Sequence, residues 1–454
     1  MSDETHVSER PATFREVFAV REYRSVYLAL VLTWAGDYIA KAAVTMLVYQ
    51  ESRSVALSAT AFATSYLPWL VGGPLLTALA DRYPYRTVMV VCDLVRTPLF
   101  LLIAIADLPV WLIISLLFLS TLATAPSQAA RSAMLPLILQ GDRLVVALSL
   151  HGSTNQAAQV CGYVVGAWIA LYSPRLALLL TAAAFGLSAL LIWFRVHHRP
   201  AVSHGHRRHL LRETGDGFRL VFGTTVLRAI AILVFASMLF SIVPEGLAAA
   251  WATELARDGE NPGPIQGLIM AASPVGFILG GLAIGRGVRP SRRQALIRPF
   301  AVLAPLALVP AVLNPPAPVV ALLTMISGFA VAGLMPVCNG LFVQALPDGY
   351  RARAFGVMNT GVQVMQGVAV LATGMLADRF PLPGVVGLWC LAGVLLMLLL
   401  ATRWPQPELF QDAITRARQA TATAPPTTPP ARTGGQPVGE QSRPPTPEAG
   451  VSPV

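Results

Sequence analysis

Five ionisable side chains interrupt long apolar runs of this chain: Asp37 and Lys41 in one run, Asp93 and Arg96 in another, and Glu245 in a third. A charged group at the centre of a bilayer costs at least about 2.5–3.5 kcal/mol, so each such residue is a candidate for function. Asp37 and Lys41, the chain's single lysine, are four apart and share one helix face, where a salt bridge lowers the cost of insertion. Asp37 can take up a proton or contact a cationic substrate, with Lys41 tuning it. The same pair can instead do no more than lock its helix to its neighbours. Glu245 follows Pro244 in SIVPEGLAA. Proline removes a helix hydrogen bond and bends the helix, which makes Glu245 a carboxylate at a kink. No basic residue lies within four positions of Glu245, so it has the better case for titration and Asp37 the better case for substrate contact. Lining a wet cavity without titrating is the competing role for Glu245. Trp34, Tyr38, Tyr66 and Trp69 can stack on a bulky substrate, although aromatics also anchor helices at membrane interfaces. Gly36, beside Asp37, leaves room for a neighbouring helix to approach.

A second group of charges surrounds a turn. Between Gly72 and Arg96 an apolar run ends in Asp81-Arg82, passes Tyr83-Pro84-Tyr85 and restarts after Arg86. Asp93 and Arg96, spaced i and i+3, follow in the first turns of the next run. Flanking positive charge accounts for Arg82 and Arg86 but leaves Asp93 unexplained.

The elements that carry these residues are helices of membrane length. Hydrophobic residues make up 55% of the chain and charged ones 12%, and the mean hydropathy is +0.61. A span needs roughly 20 apolar residues, and about twelve such runs can be traced, near 25–48, 58–80, 87–106, 109–127, 147–171, 175–194, 227–251, 265–285, 295–313, 317–341, 355–377 and 384–403. They do not alternate, which argues against a transmembrane barrel. The expected fold class is an all-α integral membrane protein.

The net charge of +10 comes almost wholly from arginine, which gathers in alternate connections: Arg10 to Arg24, Arg82 and Arg86, Arg131 and Arg143, seven from Arg195 to Arg228, Arg286 to Arg298, and Arg351 and Arg353. The intervening connections hold only Arg53, Arg175, Arg257 and Arg379. This is the positive-inside pattern, and it puts both termini in the cytoplasm of a multi-pass protein of the cell inner (plasma) membrane. Arginines that flank spans do not form one basic face, so no nucleic acid is expected. The charged first twenty residues and the long first run do not read as a signal peptide. Cys92, Cys161, Cys338 and Cys390 lie in apolar runs at unrelated spacing and read as packing residues.

The polar stretch 195–226 divides the runs six and six. The expected organisation is a cytoplasmic segment 1–24, a six-helix half 25–194, a cytoplasmic loop 195–226, a second half 227–403 and a disordered cytoplasmic tail 404–454. Internal echoes support the division. Gly281 to Arg289 follows the eighth run as Asp81-Arg82 follows the second, with Gly285 in place of the aspartate and Arg286 retained. Leu135-Pro136 with Asp142-Arg143 is echoed by Leu346-Pro347 with Asp348 and Arg351. Gly374 to Arg379 (GMLADR) also fits G-x-x-x-D-R, but counting helices puts it on the opposite membrane face.

The Asp81-Arg82…Arg86 turn resembles the signature loop between helices two and three of major facilitator superfamily transporters, G-x-x-x-D-R-x-G-R-R. Thr77 stands at the first glycine, and Pro84-Tyr85 replaces the second glycine and its neighbour. Together with Gly36-Asp37 and Asp93-x-x-Arg96, the chain is most similar to the twelve-helix efflux branch that includes macrolide and enterobactin exporters. Gly162 and Gly166 partly fit the glycine spacing of an exporter signature in helix five, whose proline is missing. The resemblance implies twelve helices in two six-helix repeats, with substrate bound between them near mid-membrane. It implies proton-coupled efflux of a small amphipathic compound such as a drug, antibiotic or siderophore-like metabolite. A solute importer or lipid-moving transporter of the same fold is the alternative. Asp81, Arg82, Arg86, Asp93, Arg96 and, in the second half, Arg286 are the expected cytoplasmic gate. Asp37, Lys41, Glu245, Trp34 and Tyr38 are the expected substrate and coupling residues. The expected partners are a small-molecule substrate, protons and the lipid bilayer, with the chain a monomer.

No cofactor and no metal are expected. The five histidines in HHRPAVSHGHRRH can ligate metal, but they read better as part of a solvated linker. No loop gathers carboxylate pairs or a Ser/His/Asp set, so no enzyme is expected. The Pro- and Thr-rich main part of the tail lacks large apolar residues and should be disordered.

Overall fold

The computed structural model of the chain describes residues 13–69, 83–170, 172–199, 210–347 and 351–423. The described residues form helices and no strand: α1 (Phe14–Ala19), α2 (Arg21–Ser52), α3 (Val55–Ala63), α4 (Tyr85–Ile105), α5 (Val110–Leu122), α6 (Thr124–Ile138), α7 (Asp142–Ala170), α8 (Pro174–Arg195), α9 (Leu210–Gly223), α10 (Thr225–Ser241), α11 (Val243–Leu255), α12 (Gly263–Gly287), α13 (Ile297–Leu306), α14 (Ala317–Gln344), α15 (Arg351–Ala377), α16 (Leu382–Thr402) and α17 (Pro407–Thr423). Ten helices or consecutive helix pairs among the described residues are long and apolar enough to cross a membrane. Two of the twelve expected runs are not among the ten. One is the second run, described only to residue 69; the other is α7, which has 29 residues but carries polar side chains along its middle. At 1.5 Å per residue α7 is about 44 Å long, ample for a bilayer. The description is consistent with twelve helices.

Helix pairing repeats along the chain. In the first set α2 packs on α7 and α4 on α8; in the second set α10 packs on α15 and α13 on α16, the same positions in each group of six runs. The sets meet through α3 against α15 and α7 against α12. At their junction lies a buried apolar cluster with Phe62, Tyr66 and Tyr163 from the first set and Leu247, Trp251 and Val370 from the second. This seal lies toward the end of the bundle where Ser54 and Asp378 are. Since α2 and α16 both run between that end and the other, the start of α2 and the end of α16 mark the opposite, terminal end of the bundle.

The α2–α7 crossing is tight because of glycine. A Cβ on Gly162 would stand 2.5 Å from the Tyr38 Cβ, and one on Gly166 would stand 2.9 Å from the Ile39 Cα. Gly36, the glycine expected to allow close approach, has ordinary room: a Cβ there would meet Ala184 at 3.5 Å. The kink expected at Pro244 is a break. α10 stops at Ser241, α11 starts at Val243, and the indole N–H of Trp389 donates to the Leu239 carbonyl at 3.0 Å beside the break.

Two polar stretches hold helices. α9 lies within the stretch expected to be a loop and packs on α15. Residues 407–423, within the tail expected to be disordered, form α17, which buries Phe410 and Ile414 against the second set. The composition that implies disorder is that of the Pro- and Thr-rich part after residue 424, which lies outside the described residues. The segment 407–423 belongs to the expected tail only through its bound at 404, and its apolar residues one turn apart give it a face to dock.

Candidate functional site

A cavity of about 540 Å³ lies between the two helix sets, on the terminal side of the apolar seal. It gathers residues that the sequence brings no closer than separate spans: Asp37 and Lys41 from α2, Glu245 from α11, and the aromatics Trp34, Tyr38, Tyr66 and Trp69. Amide side chains furnish much of the remaining polar wall, Gln128, Asn155, Gln156 and Gln159 from the first set and Asn339, Gln363 and Gln366 from the second. A wall of rings and neutral amides presents a wide surface with few fixed charges, which suits an amphipathic guest.

The charges pair differently from the i, i+4 reading. Asp37 forms its ion pair with Arg96, across from α2 to α4. Arg96 also donates through Nε to Ser120 Oγ at 3.3 Å and lies over the Phe185 ring, 3.8 Å from its centroid. Lys41 makes no ion pair among the described residues. Its ammonium faces the rings of Tyr66 at 4.8 Å, Tyr38 at 5.2 Å and Phe62 at 5.9 Å, while acting electrostatically on Asp37 and Glu245. The reason is tertiary: Phe62 at the end of α3 and Tyr66 just beyond it stand where Lys41 points, and the guanidinium of Arg96 pairs with Asp37.

Asp93 and Arg96 likewise do not bond to one another. Asp93 is fully buried and accepts from Ser188 Oγ at 2.7 Å, with its Oδ1 left without a partner. Arg131 of α6, also buried, donates to Thr33 Oγ1 at 3.2 Å and is the leading electrostatic partner of Asp93. Asp37, Arg96, Asp93 and Arg131 therefore form one buried charge network that ties together α2, α4, α6 and α8. Of the other expected gate residues, Arg86 donates to the Trp193 carbonyl and stacks on the Trp193 ring, a contact inside the first set. Arg286 is exposed in the last turn of α12. Asp81 and Arg82 lie outside the described residues.

Glu245 differs from all of these. It is 4% exposed, and beside a hydrogen bond with Ser273 of α12 in its own set it is bonded across the sets: the Tyr163 hydroxyl donates to Oε2 at 3.2 Å and Gln159 Nε2 does so at 3.4 Å, both from α7. Tyr163 is edge-on to Tyr38, whose hydroxyl donates to Asn155 Oδ1 at 3.3 Å. A hydrogen-bonded wall thus runs from α2 through α7 to α11.

Arg131, Asn155, Gln159 and Tyr163 were not among the expected site residues. A signal for the last three exists in the sequence: Asn155, Gln159 and Tyr163 recur every four residues and mark one face of an otherwise small-residue helix. His151 was also passed over. It stacks with Tyr23 and Tyr27 beside Trp34, and its Nε2 has no hydrogen-bond partner.

Comparison with known proteins agrees with this architecture. The chain matches the profile of the Major Facilitator Superfamily over residues 26–314 and again over 247–442. Macrolide efflux protein A of Streptococcus pyogenes is 22% identical over 398 residues, covering 83% of this chain and 96% of that protein. A protein of the same name from Enterococcus faecalis is 29% identical over 114 residues, or 24% of this chain. Among solved structures, the nucleoside transporter NupG superposes with a TM-score of 0.65 at 13% identity, covering 86% of this chain and 99% of its own. The inward-open xylose transporter XylE from E. coli gives 0.63 at 13% identity, covering 88% and 99%. At these identities the structures speak for the fold.

Proposed function

The chain belongs to the major facilitator superfamily, and from that premise we propose that it is a proton-coupled exporter of a small amphipathic compound working by alternating access. The efflux relative from Streptococcus pyogenes, matched over 96% of its length, supports the export direction. The arginine asymmetry supports an inner-membrane protein with both termini in the cytoplasm.

One observation carries the coupling: Glu245 is a buried carboxylate on the cavity wall, held by neutral hydrogen-bond donors from the opposite helix set and without an ion pair among the described residues. A carboxylate can become neutral and so pass between conformations without dragging a bare charge through an apolar seal. Asp37 is held by Arg96 and serves the substrate, with Lys41, Trp34 and Tyr38 beside it in the same cavity. The cavity's rings and amides receive the apolar and polar parts of an amphipathic guest.

The test compares Glu245→Gln with Asp37→Asn in proteoliposomes, reading proton-gradient-driven efflux and gradient-independent exchange separately. Glu245→Gln should abolish the former and keep the latter, because glutamine retains acceptors for Tyr163 and Gln159 but cannot titrate. Full gradient-driven efflux in that variant refutes the assignment. Asp37→Asn should lose both activities.

A further inference from the structure

The G-x-x-x-D-R sequence at Gly374–Arg379 has no part in the function described so far, yet its aspartate, like Glu245, is a carboxylate bonded across the two helix sets. Asp378, just past the end of α15, accepts from Ser54 Oγ at 2.8 Å through Oδ2 and from the Ala56 backbone N–H at 3.1 Å through Oδ1. Both donors belong to the first turn of α3, whose N-cap Ser54 also accepts from the Leu57 N–H at 3.2 Å. One turn earlier Gly374 presses against the same helix, and a Cβ on it would stand 2.3 Å from the Ala59 Cβ.

We propose that Asp378 is a gating residue: its contact with the start of α3 latches shut the end of the bundle opposite the start of α2 and the end of α16, over the apolar seal. The electrostatics make the latch dependent on the interface. Asp378 follows the C-terminal turn of its own helix, where a negative charge is disfavoured. The unsatisfied N–H groups of α3 compensate it only while the two sets touch. The carboxylate is exposed even in the contact, so when α3 and α15 part it keeps its water while the first turn of α3 loses its second cap, and opening is reversible and cheap. Gly374 brings the backbones close enough for the carboxylate to reach, which explains why a glycine stands four residues before this aspartate. The proposal rests on the alternating-access reading but not on the direction or coupling of transport.

The test uses full-length protein in nanodiscs with the native cysteines replaced by alanine. A reporter Ala248→Cys lies inside the seal, and a control Ala182→Cys lies in the core of the first helix set. Asp378→Ala should speed maleimide labelling of the reporter about fivefold, the equivalent of roughly 1 kcal/mol for one lost helix cap, and leave the control unchanged. Ser54→Ala, which keeps the carboxylate and removes one donor, should give a smaller rise in the same direction. Gly374→Ala should also speed labelling, and Ala59→Gly in the same chain should reverse it by returning the space. Unchanged reporter labelling in Asp378→Ala and Ser54→Ala overturns the latch. So does an equal rise at reporter and control, which would mean general loosening. Transport coupling is not read in this experiment, so its outcome is separable from that of the Glu245 assay.

Discussion

The two helix sets handle buried charge in opposite ways. The first holds Asp37, Arg96, Asp93 and Arg131 in mutual contact or electrostatic reach, with hydroxyls of Thr33, Ser120 and Ser188 filling in between helices of the same set. The second set buries one charged side chain among its described residues, Glu245, and that one bonds outward to Tyr163 and Gln159 of the first set. A network closed within one rigid set keeps its partners whatever the other set does. A carboxylate bonded across the interface changes partners whenever the sets move. Under the proposed function, the difference separates charges that also hold the first set together from the one charge placed to respond when the sets move.

Breaking the scaffold should have the largest effect. Arg96→Ala leaves Asp37 unpaired and Phe185 uncovered, and should destabilise the protein by about 3–5 kcal/mol, read as a fall in melting temperature and in recovered folded protein. Adding Asp37→Asn to Arg96→Ala should return part of that loss. If Arg96→Ala melts like the parent, the first set is not held by its charges and the comparison fails. Gly166→Ala probes the packing that positions α7 and forces a Cβ against the α2 backbone, costing about 1–3 kcal/mol. The donors to Glu245, Tyr163 and Gln159, should move with α7, so coupling falls along with stability.

Milder changes sharpen the contrast. Tyr163→Phe removes one bond to Glu245 and should cost about 1 kcal/mol of stability at most, while shifting the pH profile of gradient-driven efflux and leaving exchange intact. An effect on both activities alike would return Tyr163 to a packing role. Lys41→Met keeps the side-chain length and loses the cation–ring contacts, worth about 0.5–1 kcal/mol. It should alter which substrates compete for the cavity more than it alters melting. The exposed Asp107–Arg175 pair provides the floor. Asp107→Asn should leave melting and efflux within error, since exposed ion pairs contribute less than about 1 kcal/mol.

Several features were legible because they depend on the chain alone. Span number follows from the length of apolar runs, and the echo between halves follows from repeated motifs. Glu245 stood out as a carboxylate next to a proline in an apolar run, and it lies buried on the cavity wall. The charge pairing was misread for a definite reason. Spacing of i and i+4 states only that Asp37 and Lys41 share a face of one helix, and Asp93 and Arg96 were read from spacing in the same way. Which neighbour reaches Asp37 depends on how α4 crosses α2, and this is set by packing among α2, α4 and α8. Arg131 was passed over because, seen along the sequence, it is indistinguishable from an arginine flanking a span. In the fold it is buried beside Asp93.

The sequence by itself determined that this chain is a bundle of membrane-length helices in two related sets, because hydrophobic length and the distribution of arginine act locally and need no partner. Tertiary structure alone decided where each charge finds its counter-charge, which end of the bundle is sealed, and what the second G-x-x-x-D-R sequence touches. Those outcomes depend on contacts between residues as far apart as Ser54 and Asp378. The physical reason is that a buried charge takes whichever compensating group the packing brings within about 3 Å, and distance along the chain says little about distance through the bundle.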